Sequence, residues 1–254
     1  MVRGNHESCS RAGQGWWRFI DPHPLLAGHD CNNALDDDRG DYSDAYAVPI
    51  GGDTQIIVLD TANTINQPIA ADTTRAKKYR ALYHQMVALS QQAGDNRVVN
   101  HQPILGFAAR QEAHRAVALV PGNRGLQSVF GSINPGLLPA HIDVLLSGHV
   151  HVWEQVSFSS AYPTQFIVGF SGTAEDIVPL PAKLPADTMP AIGAVVAQFS
   201  SWVNGFGFMT MQSTGSHHWE IEIRDVNGKQ VNACHIDGSK SVCDLAQVQS
   251  IQSN

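Results

Sequence analysis

Three short apolar runs, each followed at once by polar residues, constrain the fold of this chain most. They are Gln55–Leu59, which Asp60 follows, Arg97–Asn100, which precedes His101, and Ile142–Ser147, which precedes Gly148. Continuous apolar runs of this length are typical of strands buried on both faces. The chain is therefore predicted to contain an α/β arrangement with polar loops at the ends of its strands.

A helix is predicted between the first two strands, over residues 73–93. Tyr79, Leu82, Tyr83 and Met86 follow the three-to-four spacing of a buried helix face, with Asp72 or Thr73 as the N-cap and Gly94 as the end. Residues 9–50 contain many Gly, Pro and Asp residues and predict a long loop. Beyond residue 151 the pattern predicts mainly strands, with a hairpin turn at Asn227-Gly228.

Composition excludes several classes of protein. Of the 254 residues, 43% are hydrophobic and 15% are charged, which indicates a globular chain and not a disordered one. A formal net charge of −7 argues against stable binding to nucleic acid, which needs basic residues to neutralise phosphates. We expect no membrane span, because no apolar run approaches the roughly 20 residues required.

The four cysteines allow three disulfide connectivities, and the sequence does not choose among them. The simplest pairs residues close in sequence, Cys9 with Cys31 and Cys234 with Cys243; buried free thiols are the alternative. Disulfides would indicate an oxidising compartment. The spacing does not fit a thiolate metal site.

Three segments carry residues that commonly bind metal ions: Gly4-Asn5-His6-Glu7, Asn100-His101-Gln102-Pro103 and Gly148-His149-Val150-His151. Loops that leave neighbouring strands meet at the carboxyl edge of an α/β sheet. In an extended segment, residues two apart such as His149 and His151 point to the same side. A single histidine after a strand is weak evidence for a ligand, but the three segments in this order are specific.

Taken together, the three segments resemble the last three of five signature blocks of the calcineurin-like metallophosphoesterases, a superfamily that includes purple acid phosphatases, nucleotidases and cyclic-nucleotide phosphodiesterases. The resemblance covers roughly residues 2–175. It implies that Asn5, His101 and His149 coordinate one metal ion and that His151 coordinates another. It also implies that His6 is the catalytic proton donor to the leaving oxygen, with Glu7 in a supporting role.

The first two signature blocks of that superfamily, Asp-x-His and Gly-Asp-x-x-Asp, normally precede the segment that corresponds to Gly4–Glu7. Gly51-Gly52-Asp53 lies in the wrong order and is interpreted as a turn. The resemblance therefore implies an N-terminally truncated fragment: a metallophosphoesterase-like β-sandwich flanked by helices, lacking its first strands, with a β-rich C-terminal part. We expect a single domain over 1–254, with the motifs in 1–175 and the β-rich part in 176–254.

The predicted function is metal-dependent hydrolysis of a small phosphoester, a phosphomonoester or phosphodiester, by a binuclear centre of Zn, Mn or Fe that activates water. Without the first blocks, at most one ion would be well held and activity would be weak. The predicted location is the periplasm or the cell exterior. The alternative is a non-catalytic binding or regulatory protein with the same fold.

Several other residues were weighed as site residues. A packed loop core is favoured over base stacking for Trp16-Trp17, and a solvated loop is favoured over calcium binding for Asp36–Asp41. Turn or strand surface is favoured over metal binding for His217-His218. The remaining candidates to line a pocket are His23, His29, His114 and His141.

Overall fold

The computed structural model describes residues 1–9, 11–25, 31, 42–112, 117–172, 178, 180–181, 183–203, 205–245 and 247–248. They fall into two compact units. The first unit comprises residues 1–102 and 123–141, and the second comprises residues 103–122 and 142–254. Within the described ranges no helix has both the length and the apolar character needed to cross a membrane. The assignment of 1–254 to a single domain stays a prediction.

The first unit combines helices with a mixed sheet. Strand β2 pairs antiparallel with β1 and parallel with β3. The elements, in chain order, are a 3₁₀ turn Asn5–Glu7, α1 Gly13–Phe19, β1 Tyr46–Gly51, β2 Thr54–Leu59, α2 Thr74–Ser90, β3 Asp95–Asn100 and, after the chain returns from the second unit, α3 Arg124–Gly131. Both predicted strands of this unit are confirmed.

Helix α2 forms as its sequence spacing predicts. Thr73 is the N-cap, and its hydroxyl accepts a hydrogen bond from the Ala76 amide at 3.1 Å. The buried face carries Tyr79, Leu82, Tyr83 and Met86. The helix ends at Ser90, before the predicted Gly94.

The second unit consists mainly of strands. A mixed five-stranded section has the order β6-β8-β7-β9-β14, a four-stranded antiparallel sheet has the order β10-β11-β12-β13, and β4 pairs with β5. The strands are β4 Phe107–Gln111, β5 Val117–Pro121, β6 Val144–Ser147, β7 Trp153–Phe158, β8 Thr164–Val168, β9 Val196–Trp202, β10 Gly207–Gly215, β11 His218–Asp225, β12 Gln230–Asp237, β13 Lys240–Cys243 and β14 Gln247–Val248. The predicted α/β character and the β-rich C-terminal part are confirmed.

A shared apolar core joins the four-stranded sheet to the strands of the five-stranded section. Trp153 and Phe166 from that section pack with Trp219 and Ile221 of β11. Cys234 and Cys243 lie opposite each other on β12 and β13 and form a disulfide within this core. Cys9 and Cys31 form the other disulfide, so the pairing of cysteines close in sequence is confirmed.

Some regions differ from the sequence interpretation. Residues 9–50 are not loop throughout, because α1 and most of β1 lie within them. The two tryptophans of α1, Trp16 and Trp17, are buried, which confirms the packed core. Strand β7 was not predicted because Glu154 and Gln155 interrupt its apolar pattern; both side chains are fully buried.

Candidate metal centre

The segment Gly4–Glu7 forms a tight 3₁₀ turn. The Gly4 amide donates a hydrogen bond to the Glu7 carboxylate at 2.9 Å, and the Glu7 amide donates to the Gly4 carbonyl at 3.1 Å. A Cβ atom at Gly4 would lie 2.8 Å from Glu7 Oε2 and 3.2 Å from His101 Cε1. Glycine at this position therefore lets the ring of His101 approach the turn closely.

The side chains of Asn5 and His101 are in direct contact. Asn5 Oδ1 lies 2.9 Å from His101 Nε2, although the residues are 96 positions apart. Two ligand atoms at right angles on one cation, each about 2.1 Å from it, are about 3 Å apart. The spacing of this amide oxygen and this imidazole nitrogen therefore fits a shared ion, and the donor types suit Zn, Mn or Fe.

Asp60, which follows β2 directly, is a buried carboxylate of the same unit. Its Oδ2 atom accepts hydrogen bonds from Arg3 Nε at 3.0 Å and from the Ser43 amide at 2.8 Å, and Arg3 Nη2 lies 2.8 Å from it. Its Oδ1 atom accepts from the Ala62 amide at 3.1 Å. The guanidinium of Arg3 also lies over the Trp17 ring, 4.7 Å from its centroid. The Asp60 carboxylate is thus engaged in an ion pair with Arg3 and is not one of the proposed metal ligands.

His6 lies on the same turn as Asn5, and its side chain is exposed. Its backbone carbonyl accepts a hydrogen bond from the Ala12 amide at 3.3 Å, which holds the turn against the start of α1. The exposed imidazole is accessible to a bound molecule. Its role as a proton donor stays a prediction.

His149 and His151, in the second unit, do not lie on an extended segment, so that expectation is wrong. The Val150 amide donates to the Gly148 carbonyl at 2.8 Å, and the Val152 amide donates to the Val150 carbonyl at 2.9 Å. Each histidine is therefore the central residue of a three-residue turn. His149 has φ 68°, a conformation that glycine adopts more readily than histidine.

Gly169 allows this loop to pack. A Cβ atom at Gly169 would lie 1.9 Å from the Val150 carbonyl oxygen, so only glycine fits beside the turn. The Gly169 amide also donates to the Val152 carbonyl at 3.1 Å, which holds the end of the loop. The loop that carries both histidines is thus held by backbone contacts.

The predicted ligands therefore form two local groups in two units. The structure brings Asn5 and His101 together in the first unit, and it places His149 and His151 on one loop of the second. Coordination of the same metal ions by all four residues stays a prediction.

A cluster of Asp21, His23 and Ser43 in the first unit was missed by sequence reasoning. His23 Nδ1 lies 3.3 Å from Asp21 Oδ1 and 3.2 Å from Ser43 Oγ, and the Ser43 hydroxyl donates to Asp21. Asp21 and Ser43 both contact the Nδ1 atom of His23. In a catalytic triad the acid and the nucleophile contact different nitrogens of the histidine ring, so this cluster does not have the geometry of a triad. The spacing Asp21-Pro22-His23 was its only sequence signal.

The structure also describes three of the other weighed histidines, His217, His218 and His141. His217 lies at the turn before β11, with φ 59° and its Nδ1 atom 3.8 Å from Asp143 Oδ1, and His218 begins β11. Both positions agree with the predicted turn and strand surface. His141 is exposed. His29, His114 and Asp36–Asp41 lie outside the described residues.

No family model and no curated protein matches the sequence. Solved structures do match. The chain is similar to purple acid phosphatase PPD1 from yellow lupin (Lupinus luteus) seeds, with TM-score 0.46 and 13% identity over 78% of this chain and 32% of that one. It is similar to GAP50, the anchor in the inner membrane complex of Plasmodium, with TM-score 0.45 and 16% identity over 77% and 54%.

A third similar structure is PhoD, with TM-score 0.43 and 12% identity over 83% of this chain and 45% of that one. The chain thus spans between a third and about half of the length of the structures it matches. A purple acid phosphatase, one of the enzyme classes that the three segments predicted, is among these matches. All three TM-scores are below 0.5, so the functional argument rests on the residues.

Proposed function

We propose that this protein is a metal-dependent phosphoester hydrolase. The observation that carries the proposal is the 2.9 Å contact between Asn5 Oδ1 and His101 Nε2. The two residues come from separate signature segments, and the separation of their ligand atoms, which is that of a hydrogen bond, is also compatible with a shared cation. No thiolate takes part, since all four cysteines are in disulfides.

The proposed ligands are Asn5, His101 and His149 for one metal ion and His151 for a second. Bound divalent ions would neutralise phosphate oxygens and lower the pKa of water, which is the chemistry of two-metal phosphoesterases. Asn5 and His101 present neutral donors, so they leave more positive charge for the phosphate than thiolates would. His6, exposed beside Asn5, donates a proton to the leaving oxygen.

The proposed substrates are small phosphomonoesters or phosphodiesters. With a net charge of −7, the chain offers little general attraction to polyanions, so phosphate recognition would be local to the metal site. The two disulfides support an oxidising environment, and we propose the periplasm or the cell exterior.

One observation favours a second candidate function, a non-catalytic binding or regulatory protein of the same fold. The buried carboxylate of Asp60 is engaged by Arg3 and by backbone amides. This engagement removes one buried carboxylate of the first unit, Asp60, as the anionic ligand that would bridge two metal ions. In the full-length protein, one bound ion per chain or none would favour this alternative, and two would favour the enzyme.

The hydrolase proposal is tested with p-nitrophenyl phosphate and bis(p-nitrophenyl) phosphate, with Mn²⁺ or Zn²⁺ supplied. We expect weak hydrolysis that a chelator abolishes. Asn5→Ala and His101→Ala should each lower the rate roughly 100-fold or more, because even residues that only support a ligand usually contribute 10- to 100-fold. His84→Ala, an exposed histidine on α2, is the matched control and should retain the rate.

Two results would contradict the proposal. Hydrolysis that survives both ligand substitutions, or that ignores the chelator, would place the activity elsewhere. Metal binding without hydrolysis of either ester would support the non-catalytic alternative.

A further inference from the structure

Asp60 and Thr61 follow β2. Asp60 contacts Arg3, whose guanidinium reaches the end of the Asn5 turn, and Thr61 contacts the loop of His101. We infer that Asp60 and Thr61 are positioning residues that set the separation of Asn5 and His101. The inference rests on the proposed metal-dependent function, and it assigns roles that the signature segments themselves do not contain.

Thr61 holds the loop of His101. Its side chain is fully buried, and its Oγ1 atom accepts hydrogen bonds from the His101 amide and the Gln102 amide, both at 3.1 Å. A hydroxyl oxygen has two lone pairs, so one threonine satisfies both buried amides. Because this hydrogen bond fixes the backbone amide of His101, the position of Thr61 determines the position of the His101 side chain.

Asp60 holds the turn of Asn5. It binds Arg3, two positions before Asn5, through Nε at 3.0 Å and Nη2 at 2.8 Å. The Nη1 atom of Arg3 donates to the Glu7 carbonyl at 3.4 Å, so the same guanidinium contacts the end of the turn. Arg3 and Asp60 are both buried, which keeps water from competing for this pair.

The two contacts are coupled through a short piece of backbone. Asp60 Oδ1 accepts the Ala62 amide at 3.1 Å, which closes a turn around Thr61. The segment of residues 60–62 therefore connects Arg3, whose guanidinium reaches the end of the Asn5 turn, with the loop of His101.

Precise separation matters for this kind of site. In a metal site, each metal–ligand distance lies within about 0.2 Å of its usual value. The side chains of a productive site are held within about 0.5 Å of the required geometry. A loop that shifts by one hydrogen-bond length would therefore separate Asn5 Oδ1 from His101 Nε2 by more than one ion can span.

The test uses three variants of the full chain and two measurements, Mn²⁺ affinity by calorimetry and thermal stability. Thr61→Val keeps the shape but loses the acceptor, and Thr61→Ser keeps the acceptor. Thr54→Val is the matched control, because its hydroxyl contacts Asp95 at the opposite end of β2, 3.4 Å away. We expect Thr61→Val to weaken Mn²⁺ binding at least about tenfold. Thr61→Ser and Thr54→Val should stay within about threefold of the parent, well inside the effect of a lost supporting contact.

A third measurement separates failure of the inference from failure of the proposed function. In metal-free protein, ¹⁵N NMR of the His101 imidazole reports its contact with Asn5. We expect Thr61→Val to change that resonance and Thr61→Ser to preserve it. If the parent protein binds no Mn²⁺, the proposed function fails, and the imidazole resonance alone decides the inference.

Parent-like Mn²⁺ affinity in Thr61→Val would overturn the inference, and so would an unchanged His101 resonance. Equal weakening by Thr61→Val, Thr61→Ser and Thr54→Val would also overturn it, since that pattern indicates a general loss of stability.

Discussion

Asn5 Oδ1 and His101 Nε2 lie 2.9 Å apart, although 96 positions of sequence separate the two residues. One residue lies on a 3₁₀ turn near the start of the described chain, and the other follows strand β3. Both donors are neutral and suited to a divalent ion. This contact is the structural basis of the proposed metal site.

The ion pair of Arg3 and Asp60 should contribute strongly to stability. Asp60→Ala leaves the guanidinium of Arg3 buried without its partner, and such losses cost about 3–5 kcal/mol in free energy of unfolding. The double variant Arg3→Met/Asp60→Leu removes both charges and should regain at least half of that loss. Urea unfolding of the parent and both variants checks this.

If the double variant is less stable than Asp60→Ala, the cost does not come from an uncompensated buried charge. In that case the backbone hydrogen bonds that Asp60 accepts from Ser43 and Ala62 would be the larger contribution.

Glu154 should make stability depend on pH. Burial raises the pKa of the Glu154 carboxyl well above its usual value of 4.5, although the hydrogen bond from the Phe107 amide acts in the opposite direction. The folded protein therefore keeps this proton to a higher pH than the unfolded chain. The contribution is fully present below about pH 4.5 and is lost as pH rises toward the raised pKa, by at most about 1.4 kcal/mol per pH unit.

Glu154→Gln keeps an acceptor for the Phe107 amide but does not titrate, so its stability should fall less between pH 5 and pH 8. Urea unfolding at several pH values measures the difference. Glu220→Gln, on the exposed side of β11, is the control and should keep the parent slope. Identical slopes in the parent and Glu154→Gln would contradict the prediction.

At position 149, a glycine variant should be more stable than an alanine variant, which is the reverse of the order at most positions. Its φ of 68° is unfavourable for a side chain, at a cost of roughly 1–2 kcal/mol. We therefore expect His149→Gly to be about 1 kcal/mol more stable than His149→Ala, in chemical unfolding.

His151, two positions later and without a positive φ, provides the control. There the alanine variant should be the more stable of the two, because glycine loses more conformational entropy on folding. The same order at both positions would show that His149 carries no local strain.

Much of the fold followed from local patterns in the sequence. Strands β2, β3 and β6 were predicted because their apolar runs are continuous, and α2 was predicted because its apolar residues repeat at helical spacing. Strand β7 was missed because Glu154 and Gln155 are buried through hydrogen bonds to Phe107 and Ser241, partners that no local pattern reveals.

The candidate site, like the fold, was predictable from the sequence only in part. The residue types of Asn5, His101, His149 and His151 were recognisable from their segments, and the pairing of Asn5 with His101 was expected from them. The turn at His149 was not, because a histidine rarely adopts the positive φ that this turn requires. The ion pair of Arg3 and Asp60 joins residues 57 positions apart, and such a pair leaves no periodic signal.

Calorimetric titration of the metal-free protein with Mn²⁺ tests the central claim most directly. The account predicts that the parent binds Mn²⁺ and that Asn5→Ala and His101→Ala each weaken binding at least about tenfold, because each removes a donor atom. His84→Ala should leave the affinity unchanged. Parent-like Mn²⁺ affinity in both ligand variants would contradict the account, because the contact between Asn5 and His101 would then not be a metal site.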